Sequence, residues 1–261
     1  MSEMYILKRL EILQDKLARA GCDGFFSLYP ATNQYLTGFR GSTSAVIVTE
    51  RDQFFFCDAR YTEQVRSEVT GFTVEEMSGD LCVRVAERLQ FVSCGAAAFE
   101  PDQLSVSALR KMEKNFTGLL KECPGLVSDM RCVKNEEEVE IIEQAQRIAE
   151  SALENVLDDL EEGISERELA AKLEYQMKAQ GGDGASFDTI VLFGARSSLP
   201  HGKPSDARLH EGDIVLIDFG CRYSGYCSDL TRTFVFDSIP DDWFVGVYQT
   251  VSGAKHAALE T

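Results

Sequence analysis

The chain has 261 residues, enough to bury a sizeable core in one or two domains. Acidic residues outnumber basic ones 43 to 26, and the formal charge of −17 argues against a nucleic-acid backbone or an anionic membrane as partner. No apolar run approaches the roughly 20 residues that span a bilayer. The opening MSEMYILKRLEILQDKL is a charged amphipathic stretch rather than a secretion signal, so a cytoplasmic protein is expected.

Ile6, Leu10, Leu13 and Leu17 recur at helical spacing up to Gly21, which predicts an opening helix with a glycine stop. Short apolar strands follow, GFFSL, SAVIV and QFFFC, with ATNQYLTGFRGST between the first two. A strand near FTVEEM, a helix over Leu81 to Leu89, the strand AAAF and a helix near Leu104 to Met112 continue the alternation. That pattern predicts an α/β layer with a largely buried sheet, in a domain over residues 1–131.

A second domain is expected over residues 132–261. Asn135 with Glu138 forms a capping-box variant, and Val139, Ile142, Ala149, Leu153, Val156 and Leu160 share one apolar face up to Gly163. Ser165 with Glu168 repeats the device for a helix that turns Leu169, Leu173 and Met177 inward and stops at Gly181 and Gly182. The acidic run EEEVE reads as a solvated first turn favoured by the helix dipole. Phe187 to Phe193 is nearly all apolar, which predicts a strand inside a sheet with both faces covered. The glycines of GGDGAS stand between helix and strand with no Lys-Ser/Thr after them, so they form a loop and not a phosphate cradle.

The eight cysteines, at 22, 57, 82, 94, 123, 132, 221 and 227, include no CxxC pair and mostly adjoin apolar residues. They read as free thiols in a reducing compartment. Cys221 and Cys227 lack the second sulfur pair that a tetrahedral zinc site needs.

The chemistry concentrates in GDIVLIDFGCRYSGYCSDLTRTFVF, Gly212 to Phe236. Ile214 to Phe219 reads as a strand, Gly220 to Gly225 as a turn region and Tyr226 to Phe236 as a returning strand. A hairpin closing about Tyr223 and Ser224 makes Asp218 and Asp229 direct cross-strand partners, with Cβ atoms roughly 5 Å apart. Two such anions call for a shared proton or a bound cation, and their oxygens suit one or two divalent ions. Aspartates at hairpin ends are also ordinary turn formers. From Pro240 onward, Phe244, Val247, Tyr248 and Val251 mark a last helix.

The run of DFG before the turn, GYCSDLTRTF after it and LPHGKPSD upstream resembles the first half of the metal site in the creatinase and aminopeptidase P family of pita-bread metallopeptidases. NQYLTGF and DARYTEQ are similar to that family's N-terminal domain. The resemblance implies a creatinase-type α/β domain followed by the first half of an α+β pita-bread catalytic domain. It implies metal-dependent release of an N-terminal residue from a following proline, by an Xaa-Pro aminopeptidase or a prolidase-like enzyme.

By the same resemblance Asp218 and Asp229 are metal ligands for two divalent ions, with Asp229 bridging. Manganese is expected, cobalt, zinc and iron being compatible. His201 in LPHG faces the substrate; His210 and His256 have no such match and read as structural. The partner implied is a peptide with proline at its second position, with homodimerisation through the first domain. The family's further ligands, a histidine and two glutamates, have no counterpart here, so the chain is expected to be C-terminally truncated, to bind metal weakly and not to turn over substrate alone. The alternatives are an inactive peptide-binding homologue and a creatinase-type hydrolase without metal.

Overall fold

The computed structural model describes residues 2–158 and 160–260. The chain divides into two compact units, Met1–Glu138 and Val139–Thr261.

In the first unit, α1 (Glu3–Ala20) buries Ile6, Leu10, Leu13 and Leu17, the stripe its spacing predicts, and ends at Gly21 in the left-handed region with φ +64°. The alternation continues through β1 (Gly24–Ser27), α2 (Pro30–Thr37), β2 (Ser44–Thr49), β3 (Gln53–Asp58), α3 (Thr62–Glu68), β4 (Thr73–Met77) and α4 (Leu81–Phe91). It closes with β5 (Ala96–Phe99), α5 (Val106–Asn115), β6 (Leu119–Glu122) and α6 (Ser128–Cys132). The six strands form one mixed sheet in the order β4-β3-β2-β1-β5-β6. Alternation along the strands divides the phenylalanines between its faces: Phe25 and Phe55 join the α1 core, while Phe26, Phe54 and Phe56 pack with Val85, Leu89 and Met112. Each such ring contributes roughly 1.5–3 kcal/mol by leaving water.

The second unit begins within α7 (Glu136–Leu157). The Asn135 side chain accepts from the Glu138 amide and Glu138 accepts from the Asn135 amide, both at 2.9 Å, so the capping box forms. The buried stripe of α7 is Ala145, Ile148, Ala149, Ala152, Leu153 and Val156; Val139, expected on it, is 43% exposed. α7 ends at Leu157 rather than running on towards Gly163. α8 (Glu166–Ala179) starts on a full Ser165–Glu168 capping box and buries Leu169, Leu173 and Met177.

The remaining elements are β7 (Gly184–Ala185), β8 (Ile190–Phe193), β9 (Ile214–Phe219), β10 (Cys221–Tyr223), β11 (Tyr226–Cys227), β12 (Leu230–Val235) and α9 (Asp242–Leu259). They make two small sheets, β12-β9-β8 and β11-β10-β7. β8 was expected inside a sheet; among the described residues it pairs only with β9, although Val191, Leu192 and Phe193 are all buried. α9 has no buried residue. No helix among the described residues is long and apolar enough to cross a membrane. All eight cysteines are free, and five of them are buried.

Candidate functional site

The hairpin forms, but its turn lies one residue later than the midpoint between the two aspartates. Ser224 and Gly225 take the central positions with φ of +50° and +81°, the pattern of a type I′ turn. A turn centred on Tyr223 and Ser224 would force the tyrosine to positive φ, which costs about 1–2 kcal/mol for a residue with a Cβ. Tyr223 therefore pairs with Tyr226, and Arg222 with Cys227. The shift carries down both strands. Asp218 stands opposite Thr231, not opposite Asp229, and Phe219 opposite Leu230. Asp229 is two positions from the partner of Asp218, a diagonal relation that in a regular ladder spans roughly 7–8 Å.

Asp218 is half-buried, and its Oδ1 accepts the Thr231 hydroxyl at 3.0 Å. Thr231 thus orients the carboxylate, a role that only the observed register reveals. Asp229 is exposed and follows a tight crossing of the two strands. There the ladder passes from one small sheet to the other, and Gly220 lets the Ser228 carbonyl approach so closely that a Cβ on residue 220 would lie 2.0 Å from its oxygen. The Ser186 hydroxyl donates to the same carbonyl at 2.8 Å, and the buried Ser228 hydroxyl accepts the Cys221 amide at 3.0 Å. Glycine at 220 is thus a requirement of the backbone path that delivers Asp229.

Asp229 borders a cleft of ≈ 500 Å³ between the hairpin and α7, with Glu143, Glu150 and Arg147 on its walls. His201 lines a different cleft of ≈ 700 Å³, with Arg167 and Glu174 of α8, Phe187 to Ile190, and Lys203. His201 is exposed, and among the described residues its ring makes no hydrogen bond. The predicted site residues are thus not gathered into one cavity. His210 is engaged locally, its amide donating to Asp213 Oδ2 at 2.9 Å, and His256 Nδ1 lies 2.7 Å from the Ser252 carbonyl.

The two aspartates fit a divalent cation as part of a donor set: their oxygens are the hard ligands such ions prefer. Among the described residues no group of three or more His, Cys, Asp or Glu stands close enough to hold a metal.

The sequence points to His201 but not to Glu166, the residue on which the ends of its loop meet. Glu166, fully buried at the first turn of α8, accepts the Phe193 amide on Oε1 at 2.9 Å and the Ser205 amide and hydroxyl on Oε2 at 2.8 and 2.7 Å. Arg196 Nε lies 2.9 and 3.1 Å from its two oxygens. Burial pushes the Glu166 carboxyl up, and the donors from Ser205, Phe193 and Arg196 more than offset this, leaving it below the usual glutamate range. The signal available in the sequence was only that a Glu opens the helix, which the dipole explains equally well.

Comparison with known proteins places both units. Residues 140–261 match the model of metallopeptidase family M24, and residues 9–133 that of the creatinase/prolidase N-terminal domain. The uncharacterized peptidase YqhT of Bacillus subtilis is 36% identical over 95% of this chain and 70% of its own length. An Xaa-Pro dipeptidase from Bacillus anthracis has a TM-score of 0.88 at 32% identity, covering 94% of this chain and 68% of that one. An X-Pro aminopeptidase from Thermotoga maritima has a TM-score of 0.87 at 35% identity, covering 94% and 72%. On these likenesses, which run through both units, the chain belongs to metallopeptidase family M24, a pita-bread peptidase domain behind a creatinase/prolidase N-terminal domain.

Proposed function

We propose that this chain takes part in metal-dependent hydrolysis of the bond between an N-terminal residue and a following proline. The observation that carries the reading is the hairpin: two carboxylates, Asp218 on β9 and Asp229 just before β12, within the region matched by the metallopeptidase model, one of them oriented by a threonine. The names of the two solved relatives, an Xaa-Pro dipeptidase and an X-Pro aminopeptidase, support the proline preference.

Asp218 and Asp229 would hold the divalent ions, manganese being the choice proposed because oxygen donors dominate the set. Such ions supply Lewis acidity and a water of lowered pKa. Thr231 fixes the Asp218 carboxylate through its hydroxyl. His201 donates a hydrogen bond to the carbonyl oxygen as negative charge develops there. Proline offers a tertiary amide without an N–H, so its recognition rests on packing of the ring rather than on a backbone acceptor. A cytoplasmic setting, in keeping with eight free cysteines, and homodimerisation through the first domain complete the reading.

The test is metal content by elemental analysis, then release of the first residue from an Xaa-Pro peptide with manganese supplied. Asp229→Asn should lower manganese affinity at least tenfold, since it removes a full ligand charge. Wild-type affinity in the variant would remove the hairpin from the site.

A further inference from the structure

We propose that Glu166 is a positioning residue for His201, acting by closing the neck of the loop that carries it. The inference rests on the substrate-facing role proposed for His201.

The side-chain donors and amides that meet the Glu166 carboxylate come from one segment, Phe193 to Ser205, and His201 sits inside it. The two ends of the segment meet on the two oxygens: the Phe193 amide on Oε1, the Ser205 amide and hydroxyl on Oε2. Between them Arg196 donates to the same carboxylate through Nε, and its Nη2 reaches forward to the Lys203 carbonyl at 2.9 Å. The backbone is therefore held eight residues before His201, at the Phe193 amide, and again two and four residues after it, at the Lys203 carbonyl and the Ser205 amide, with the Arg196 side chain tying the two limbs together. The first turn of α8 completes the clamp with opposite polarity, the Glu166 amide donating to the Ala207 carbonyl at 3.1 Å and the Arg167 amide to the Ser205 carbonyl at 3.2 Å.

The imidazole itself has no hydrogen bond among the described residues, so its place is inherited from the loop and not fixed at the ring. A loop of this length could be closed by backbone pairing alone. A buried carboxylate is a costly substitute, because its desolvation must be offset by several good donors. What it adds is geometric: one rigid anchor on a helix fixes both limbs of the loop together, which is what a group acting on a developing charge requires.

The experiment uses the full 261-residue chain, isotopically labelled, with the His201 ring signals assigned by their loss in His201→Gln. In Glu166→Gln the His201 ring signals should shift or broaden, and exchange of the Phe193 and Ser205 amides should accelerate by at least about tenfold. The His210 and His256 signals should stay in place. Leu13→Ala, which lowers stability from the other unit, should leave the His201 signals unmoved, separating position from stability. Ser205→Ala and Arg196→Lys should give the same changes in smaller measure, and they carry the test if Glu166→Gln fails to fold. Where the chain supplied with manganese turns over an Xaa-Pro dipeptide, Glu166→Gln should lower kcat roughly tenfold to a hundredfold, with KM changed less than about twofold because uniform binding is untouched. Adding Glu166→Gln to His201→Gln should cost nothing further.

Unmoved His201 signals in all three clamp variants would overturn the proposal, as would losses that multiply in the double variant. His201→Gln turning over at the wild-type rate would instead sink the substrate-facing role of His201. The spectra, which need no turnover, would then still decide whether Glu166 sets the place of the ring.

Discussion

Gly220 is the residue through which the backbone controls the acidic pair. A Cβ there would lie 2.0 Å from the Ser228 oxygen, and that atom is backbone, already held by the Ser186 hydroxyl, whose own oxygen would stand 2.8 Å from the Cβ. It cannot yield as the tip of a flexible side chain would. Gly220→Ala should therefore cost about 2–3 kcal/mol in chemical denaturation, and because Asp229 follows Ser228 directly, manganese affinity should fall with it. A variant within about 0.5 kcal/mol of wild type would mean that the crossing has more room than its geometry allows. At Glu166 the relevant variable is pH. Its folded pKa lies below the ordinary value, so its ionised form stabilises the fold above the unfolded pKa, and that contribution is lost as pH falls through the folded one. The stability gap between wild type and Glu166→Gln should be widest near neutrality and narrow from roughly pH 4.3 downward, read from denaturation midpoints at a series of pH values. A gap that widened in acid would reverse the assigned sign.

At the scale of elements, what the sequence makes legible is what a short window contains. The apolar stripe of α1, the capping boxes before α7 and α8, and the alternation of the phenylalanine-rich strands each depend on residues within one or two turns of one another. α2 escaped because its buried residues include Thr32, Asn33 and Thr37, whose polarity hides the pattern. Asn33 is accounted for by a partner outside the helix, its side-chain amide donating to the Ser44 carbonyl at 2.9 Å, and Thr37 by the helix itself, its hydroxyl donating to the Asn33 carbonyl one turn back at 2.7 Å. Val139 follows the helical period yet stays exposed, because periodicity gives a face and not how far along it the packing begins. The hairpin shows the same limit at higher resolution. Strands, turn region and acidic residues were all readable, but the register depends on which two residues accept positive φ, and placing the turn at the midpoint of the aspartates ignored that Gly225 follows Ser224. One residue at the turn becomes two in the pairing, and Thr231 takes the place expected for Asp229. The Glu166 clamp was beyond reading, since its donors lie 27 to 39 residues away along the chain.

For the whole molecule, the question with a physical answer is where the first domain stops. We propose that it folds alone, because its six-stranded sheet carries a buried core on each face: Leu13 and Phe55 on one side, Phe56 and Leu89 on the other. Composition and strand pattern put its end at Arg131, whereas the compact unit extends to Glu138. The seven residues between matter through one interaction. Arg9 of α1, 4% exposed, donates to the Tyr35 carbonyl at 2.7 Å and pairs with Glu138 at 2.9 Å, and Glu138 is itself 3% exposed. Removing one member of such a pair leaves a buried charge uncompensated, at a cost of about 3–5 kcal/mol. A fragment ending at Arg131 deletes Glu138 and strands Arg9; one ending at Glu143 keeps the pair, with enough of α7 for its first turn to form behind the Asn135 cap. Both should show the cooperative urea transition of a folded domain, and the longer should be more stable by about 3 kcal/mol. Arg9→Met should erase most of that difference by lowering the longer fragment to the level of the shorter. Equal midpoints for the two fragments, with Arg9 intact in both, would show that the buried pair does not define the boundary and that the domain ends where its last strand and short helix do.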